Sequence, residues 1–261
     1  MLFNISLVMF IGLATNQATT GNKVTPKMDW QNHLKKESFD SGAEKLLYRI
    51  MTPEKIEPSV KYPLVVFLHG AGERGSDNSA QLVHGVKEFA KPDSRSSYPC
   101  FLIAPQCPIG KKWAEVDWSA SSHQRPEKPS DPADLLLKLL EKLPTQLPID
   151  TNRIYITGLS MGGYGTWDLV ARKPELFAAA APVCGGGDEK DAQLISKIPI
   201  WAFHGGKDTV VKPQRTTNMI EAIKKAGGNP KVTIYPSVGH NSWDNAYSDP
   251  ELLKWLFNQK R

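Results

Sequence analysis

The stretch Gly158-Leu159-Ser160-Met161-Gly162 sets a serine between glycines two positions away on either side. The β-branched and aromatic run 153–157 precedes it, and residues able to continue as a helix follow. A serine at a sharp strand-to-helix turn adopts a strained backbone, and its neighbours at two positions before and after must lack a Cβ that would strike the adjoining strand or helix. Such an elbow lifts the Ser160 hydroxyl clear of a sheet. It also puts the Met161 N–H at a helix start, where unpaired donors and the helix dipole favour an oxyanion. The chemistry this allows is attack by Ser160 on a carbonyl carbon. The plainer reading, a glycine-rich turn with an incidental serine, is weakened by the flanking strand and helix patterns.

A serine hydroxyl is a poor nucleophile until a base takes its proton and a third group orients the base. Asp208 follows the apolar run 198–204 and His240 follows the run 231–235, so each stands in a loop just beyond a strand. In a parallel sheet both would project from the same edge as Ser160. Alone, Asp208 reads as a turn-capping residue and His240 as a surface one, but their joint placement points to a relay. Asp188, after Cys184-Gly185-Gly186-Gly187, and Asp244, close behind His240, are alternative acids. His69, His84, His123 and His204 are alternative bases, although His69 and His204 stand in strand-end His-Gly pairs that suit a backbone-orienting role; His33 has no supporting context. The second oxyanion donor is expected just after His69-Gly70, from the N–H of Ala71 or else of Gly72. Trp113 and Trp118, in the long loop from Gln106 to Ser130, are expected either to bind substrate or to seal the core edge.

Strands and helices must alternate to hold these residues. Strands are predicted over 45–51, 62–70, 101–105, 178–183, 198–205 and 231–235, besides the one that leads into the elbow. The run 62–68 is continuously apolar rather than alternating, as in a strand buried on both faces. Helices are predicted over 78–90, from Pro132 behind an Asp131 cap, from the elbow to 173, over 213–225 and over 250–258. This order implies an α/β fold, a mostly parallel central sheet with helices on both faces.

The chain has 261 residues, a net charge of +5, 40% hydrophobic and 23% charged residues, a balance that suits a globular enzyme with a large core. No composition break marks a second domain, so 45–261 reads as one catalytic domain, preceded by a linker or irregular arm over 19–44. The lysines are scattered without an aromatic-interleaved basic stripe, which argues against a nucleic-acid partner. Residues 1–14 are uncharged and apolar, too short to span a bilayer, and end in small residues. They read as a secretory signal within 1–18, cleaved near 14–18, giving a secreted or periplasmic protein with no stable membrane insertion afterwards. The lack of a Lys or Arg ahead of the apolar run leaves a lipid-facing anchor or a mis-set start open. Export would permit disulfides, and a Cys100–Cys107 bridge stands beside the alternative that Cys100, Cys107 and Cys184 are ordinary half-buried thiols.

From about Tyr48 to Lys254 the chain resembles the α/β-hydrolase superfamily. His69-Gly-Ala-Gly-Glu-Arg-Gly-Ser-Asp-Asn78 and Gly158-Leu-Ser-Met-Gly-Gly-Tyr-Gly-Thr-Trp167 are similar to its secreted carboxylesterase branch. That branch is related to phospholipase/carboxylesterases, dienelactone hydrolases and feruloyl or polyhydroxybutyrate-depolymerase-like esterases. The resemblance implies Ser160 as nucleophile, His240 as base, Asp208 as acid, and neither metal nor cofactor. The expected activity is hydrolysis of a short-chain or aromatic carboxylic ester, on a small molecule, sugar or polysaccharide, through an acyl-serine intermediate. One rival is a serine peptidase of the same fold, with Glu73, Arg74 or Glu115 anchoring a peptide terminus. The other is a catalytically silent binding protein, which an intact Ser160, Asp208 and His240 argue against.

Overall fold

A computed structural model of the chain describes residues 30–42 and 44–261. The signal segment expected at 1–18, and the arm up to residue 29, lie outside the described residues. Eight strands form one sheet: β1 (Leu34–Ser41), β2 (Glu44–Met51), β3 (Tyr62–Leu68), β4 (Phe101–Gln106), β5 (Ile149–Leu159), β6 (Ala179–Val183), β7 (Trp201–Gly205) and β8 (Lys231–Tyr235). Their spatial order is β1-β2-β4-β3-β5-β6-β7-β8. Strand β2 runs antiparallel to both β1 and β4, and every other neighbouring pair is parallel. The helices are α1 (Val86–Ala90), α2 (Pro92–Ser97), α3 (Asp131–Gln146), α4 (Met161–Arg172), α5 (Ala192–Ile195), α6 (Gln214–Lys225), α7 (Trp243–Ser248) and α8 (Pro250–Phe257). The chain therefore has the mostly parallel α/β sheet that its strand and helix pattern predicts, in the α/β-hydrolase form that the resemblance implies.

Strand β3 shows why. Leu64, Val66 and Leu68 pack into one core with α3, α4 and α6, while Val65 and Phe67 pack into a second with α1, α7 and α8. Both faces are covered, so the strand needs apolar residues at every position. The register pairs Leu68 with Gly158 and Gly205 with Tyr235, so the carboxyl ends of β3, β5, β7 and β8 are level. The loops that leave those ends carry residues 70–78, Ser160, Asp208 and His240.

The cap of α3 is Ser130, whose hydroxyl accepts the Ala133 N–H, rather than Asp131, which is the first residue of the helix, and two further expectations need correction. The polar stretch through Ser38, expected as part of an irregular arm, forms β1 from Leu34 onward. This is an edge strand that pairs along its whole length with β2 and buries only Leu34 and Phe39. Its other side chains face solvent, so it carries no apolar alternation. The helix expected over 78–90 is broken into a 3-10 turn at Ala80–Leu82 and α1. Gly85 parts them with φ of 72°, and a Cβ there would lie 2.6 Å from both Phe67 and Tyr247. Among the described residues no helix is long and apolar enough to cross a membrane.

Strand β1 hangs on few side chains, which sets a stability test. Phe39→Ala is expected to cost about 3 kcal/mol in urea unfolding, and Lys35→Ala, on the exposed face, less than about 0.5 kcal/mol. Equal effects would contradict this account of how the edge strand is held.

Candidate active site

Between β5 and α4 the backbone at Ser160 lies at φ 52° and ψ −114°. The turn closes because its glycines leave no clearance: a Cβ on Gly162 would sit 2.0 Å from the Leu68 carbonyl oxygen, and one on Gly158 2.5 Å from the Gly162 carbonyl oxygen. The Ser160 N–H donates to the Val183 carbonyl at 3.0 Å, which ties the elbow to β6. The N–H of Met161, first residue of α4, has no protein acceptor among the described residues.

Ser160 Oγ lies 2.9 Å from His240 Nε2, and His240 Nδ1 lies 2.7 Å from Asp208 Oδ2. This fits a neutral imidazole that donates from Nδ1 to the carboxylate and accepts the serine proton at Nε2. The Asp208 side chain is fully buried, and its Oδ1 accepts the N–H groups of Val210 and Val211 at 2.8 and 2.9 Å. Its Oδ2 is also 3.2 Å from Nε2 of His204, a wholly buried residue whose Nε2 lies 2.9 Å from the Val211 carbonyl and whose Nδ1 lies 2.7 Å from Thr216 Oγ1. Burial pushes the Asp208 carboxyl up, but the bonds from His204, His240 and Val211 outweigh it and hold the acid well below the usual carboxylate range. His204 thus positions the acid as well as a backbone carbonyl. Nothing in the sequence signals this except its place four residues before Asp208.

The loop after β3 is pinned carbonyl by carbonyl. Trp113 Nε1 donates to the His69 carbonyl at 3.1 Å, His69 Nδ1 to the Gly70 carbonyl at 2.6 Å, Arg74 Nε to the Ala71 carbonyl at 2.8 Å and Gln106 Nε2 to the Glu73 carbonyl at 3.2 Å. Fixing the Gly70 carbonyl fixes its peptide plane, and with it the direction of the Ala71 N–H. That N–H has no protein acceptor among the described residues, and Ala71 is half-buried whereas Gly72 is exposed. His69 Nε2 accepts the Cys107 N–H at 2.9 Å, so the ring is neutral. Burial, with Arg74 adding and the Gly70 bond opposing, pushes it down to about 4.

Trp113 does not meet substrate. It is wholly buried, Gly165 of α4 packs against it, and its indole N–H is used on His69, so the expectation of a substrate-binding residue is replaced by a support for the Ala71 loop. Trp118 is half-buried and packs against Val116, Tyr164 and Val211, beside the Asp208 loop. The other candidates lie elsewhere. Asp188 accepts the Arg125 N–H at 2.8 Å, and Asp244 is exposed with Asn241 Nδ2 at 3.4 Å. His123 is bonded to Arg215. Burial and Arg215 together push its ring down to about 4. His84 stands 3.7 Å from Glu73, and His33 ends a 3-10 turn ahead of β1. Arg74 clamps the loop, and Glu115 is exposed. Cys100, Cys107 and Cys184 are free and buried, so the Cys100–Cys107 bridge is absent. Burial pushes the Cys100 and Cys107 thiols up to about 12.

Comparison with known proteins places the chain in a family. Residues 118–249 match the model described as the Dienelactone hydrolase family. The chain is 30% identical over 100 residues to a Yersinia pestis protein named "Putative carboxymethylenebutenolidase", a match that covers 35% of this chain and 38% of that one. It is 23% identical to a Neosartorya fischeri protein named "Probable acetylxylan esterase A", covering 86% and 67% of the two chains. A crystal structure of a thermostable esterase superposes with a TM-score of 0.82 at 40% identity, over 88% of this chain and 64% of that one. The chain therefore spans less than two-thirds of the length of the first and third of these proteins.

Two measurements test the geometry. Gly162→Ala is expected to cost at least about 4 kcal/mol or to prevent folding, and Gly72→Ala, whose Cβ meets nothing within 4 Å, to leave stability within about 0.5 kcal/mol. For His69, the unfolded chain takes up a proton below the ordinary histidine value of about 6.5, while the folded ring stays neutral down to about 4. Its contribution is therefore whole above the unfolded value and is lost as pH falls through that window, by up to about 3 kcal/mol. Urea unfolding at stepped pH should show His69→Gln less stable at neutral pH and losing less on acidification. An equal loss in both proteins would contradict the assignment.

Proposed function

We propose that this chain, which belongs to the dienelactone hydrolase family, is a serine carboxylesterase that cleaves a short-chain or aromatic carboxylic ester. The observation that carries the reading is the unbroken relay from Ser160 Oγ through His240 to Asp208, at 2.9 and 2.7 Å, set beside the N–H groups of Met161 and Ala71, which have no acceptor among the described residues. In this reading His240 Nε2 takes the Ser160 proton as Oγ bonds to the ester carbonyl carbon. The tetrahedral oxygen carries the negative charge and accepts from Met161 and Ala71, a contact worth a few kcal/mol per donor, roughly. His240 returns the proton to the departing alkoxide, the carbonyl reforms as acyl-Ser160, and the same imidazole then activates a water that releases the acid. Asp208 fixes the Nδ1–H tautomer and stabilises the imidazolium.

The apolar surfaces of Trp118 and Val210 beside the Asp208 loop suit a small or aromatic acyl group. The ester would be carried by a small molecule, sugar or polysaccharide outside the cytoplasm, a location proposed from the uncharged apolar run at 1–14.

The test is a panel of aryl esters from acetyl through octanoyl, with a feruloyl ester and an aminoacyl amide, given to the wild type and Ser160→Ala. Ester hydrolysis is expected to fall roughly 10⁴-fold or more in the variant. Full activity in Ser160→Ala would end the reading, and faster cleavage of the amide than of matched esters would replace it with a peptidase.

A further inference from the structure

The side of the site formed by His240 holds a group that the ester reaction as described does not use. Trp243, three residues after His240, packs edge to face on its ring with centroids 5.3 Å apart, and the His84 ring lies 5.3 Å from the same indole. His84 Nε2 then faces Glu73 Oε1 at 3.7 Å. Glu73 folds back over the loop that presents Ala71: its Oε2 is 3.0 Å from where a Gly70 Cβ would stand, a point 3.7 Å from the carbonyl oxygen of Leu159. Glu73, His84, Trp243 and His240 thus form a continuous wall from the Ala71 loop to the catalytic imidazole.

The Glu73 carboxylate is under-used. Its side chain is only 14% exposed, yet among the described residues no donor stands within hydrogen-bond distance of it, and 3.7 Å from His84 is too long for such a bond. Its oxygens keep an opening to solvent, so the hydroxyl of a bound group can reach them in place of water. The wall adjoins His240, which must hand its proton to the leaving oxygen, so whatever fills it is attached to the alcohol. A hydroxyl can donate to Glu73 while accepting from His84 across their gap, and a ring that bears several hydroxyls can lay an apolar face on Trp243.

We propose that Glu73, His84 and Trp243 form the alcohol-side subsite and that it takes a sugar ring. This rests on the carboxylesterase reading. It assigns Glu73 to substrate hydroxyls rather than to a peptide amine.

The experiment compares an O-acetylated pentopyranoside with 4-nitrophenyl acetate, which share an acyl group and differ in the alcohol. Glu73→Gln, nearly isosteric, is expected to lower the sugar-to-aryl ratio of kcat/KM at least about tenfold, the effect of losing a hydrogen bond to a charged group. A methyl pentopyranoside should inhibit aryl acetate hydrolysis competitively in the wild type and at least about tenfold more weakly in the variant. An unchanged ratio overturns the subsite. So does a variant defect confined to 2-aminoethyl acetate, which would assign Glu73 to an ammonium. If the wild type fails to cleave aryl acetate, the esterase reading has failed. Quenching of tryptophan fluorescence by the methyl pentopyranoside, lost in Trp243→Phe, then still supports the subsite, and no quenching overturns it.

Discussion

The contact between Gly162 and the Leu68 carbonyl governs the rest of the site. Ser160 is held in a backbone conformation that a side chain rarely adopts, and such strain persists only where its surroundings over-determine it. Here β5, α4 and β3 meet so closely that neither Gly158 nor Gly162 can carry a Cβ. Three consequences follow from one close approach. The serine hydroxyl stands proud of the sheet, the first N–H of α4 is left without an acceptor among the described residues, and the loop leaving β3 is brought against the elbow.

Around that point the protein uses histidines in three ways. His240 sits partly exposed between serine and acid, where it can exchange protons. His204 is wholly buried and helps fix the acid. His69 is buried and neutral and fixes a peptide plane, so that an N–H rather than a carbonyl faces the place where charge would develop. A preorganised donor is effective because it needs no rearrangement when the oxyanion forms. The chain of bonds from Trp113, Arg74 and Gln106 onto successive carbonyls removes the freedom that such a short loop would otherwise have.

The sequence carried the parts of this that depend on local pattern. Strand β3 was legible because burial on both faces demands an unbroken apolar run, and Ser160, Asp208 and His240 because each follows a short β-branched or aromatic run that reads as a strand. Strand β1 was hidden because an edge strand with one residue in four buried has no alternation to show. Trp113 was ambiguous for a different reason. A tryptophan in a polar loop reads alike whether it meets solvent or core, and what decides the matter is Gly165 on a helix fifty residues away. The link from His204 to Asp208 was likewise invisible, since it needs Val211 and Thr216 folded around the same imidazole.

The central claim is that Ser160, activated by His240, is the nucleophile. The most direct measurement is labelling with an aryl fluorophosphonate, mapped by peptide mass spectrometry and followed against residual ester hydrolysis. The account predicts one label per chain, on Ser160, with activity lost in proportion and labelling strongly slowed in His240→Ala. A label on another residue, or full ester hydrolysis by a chain already labelled at Ser160, would contradict it.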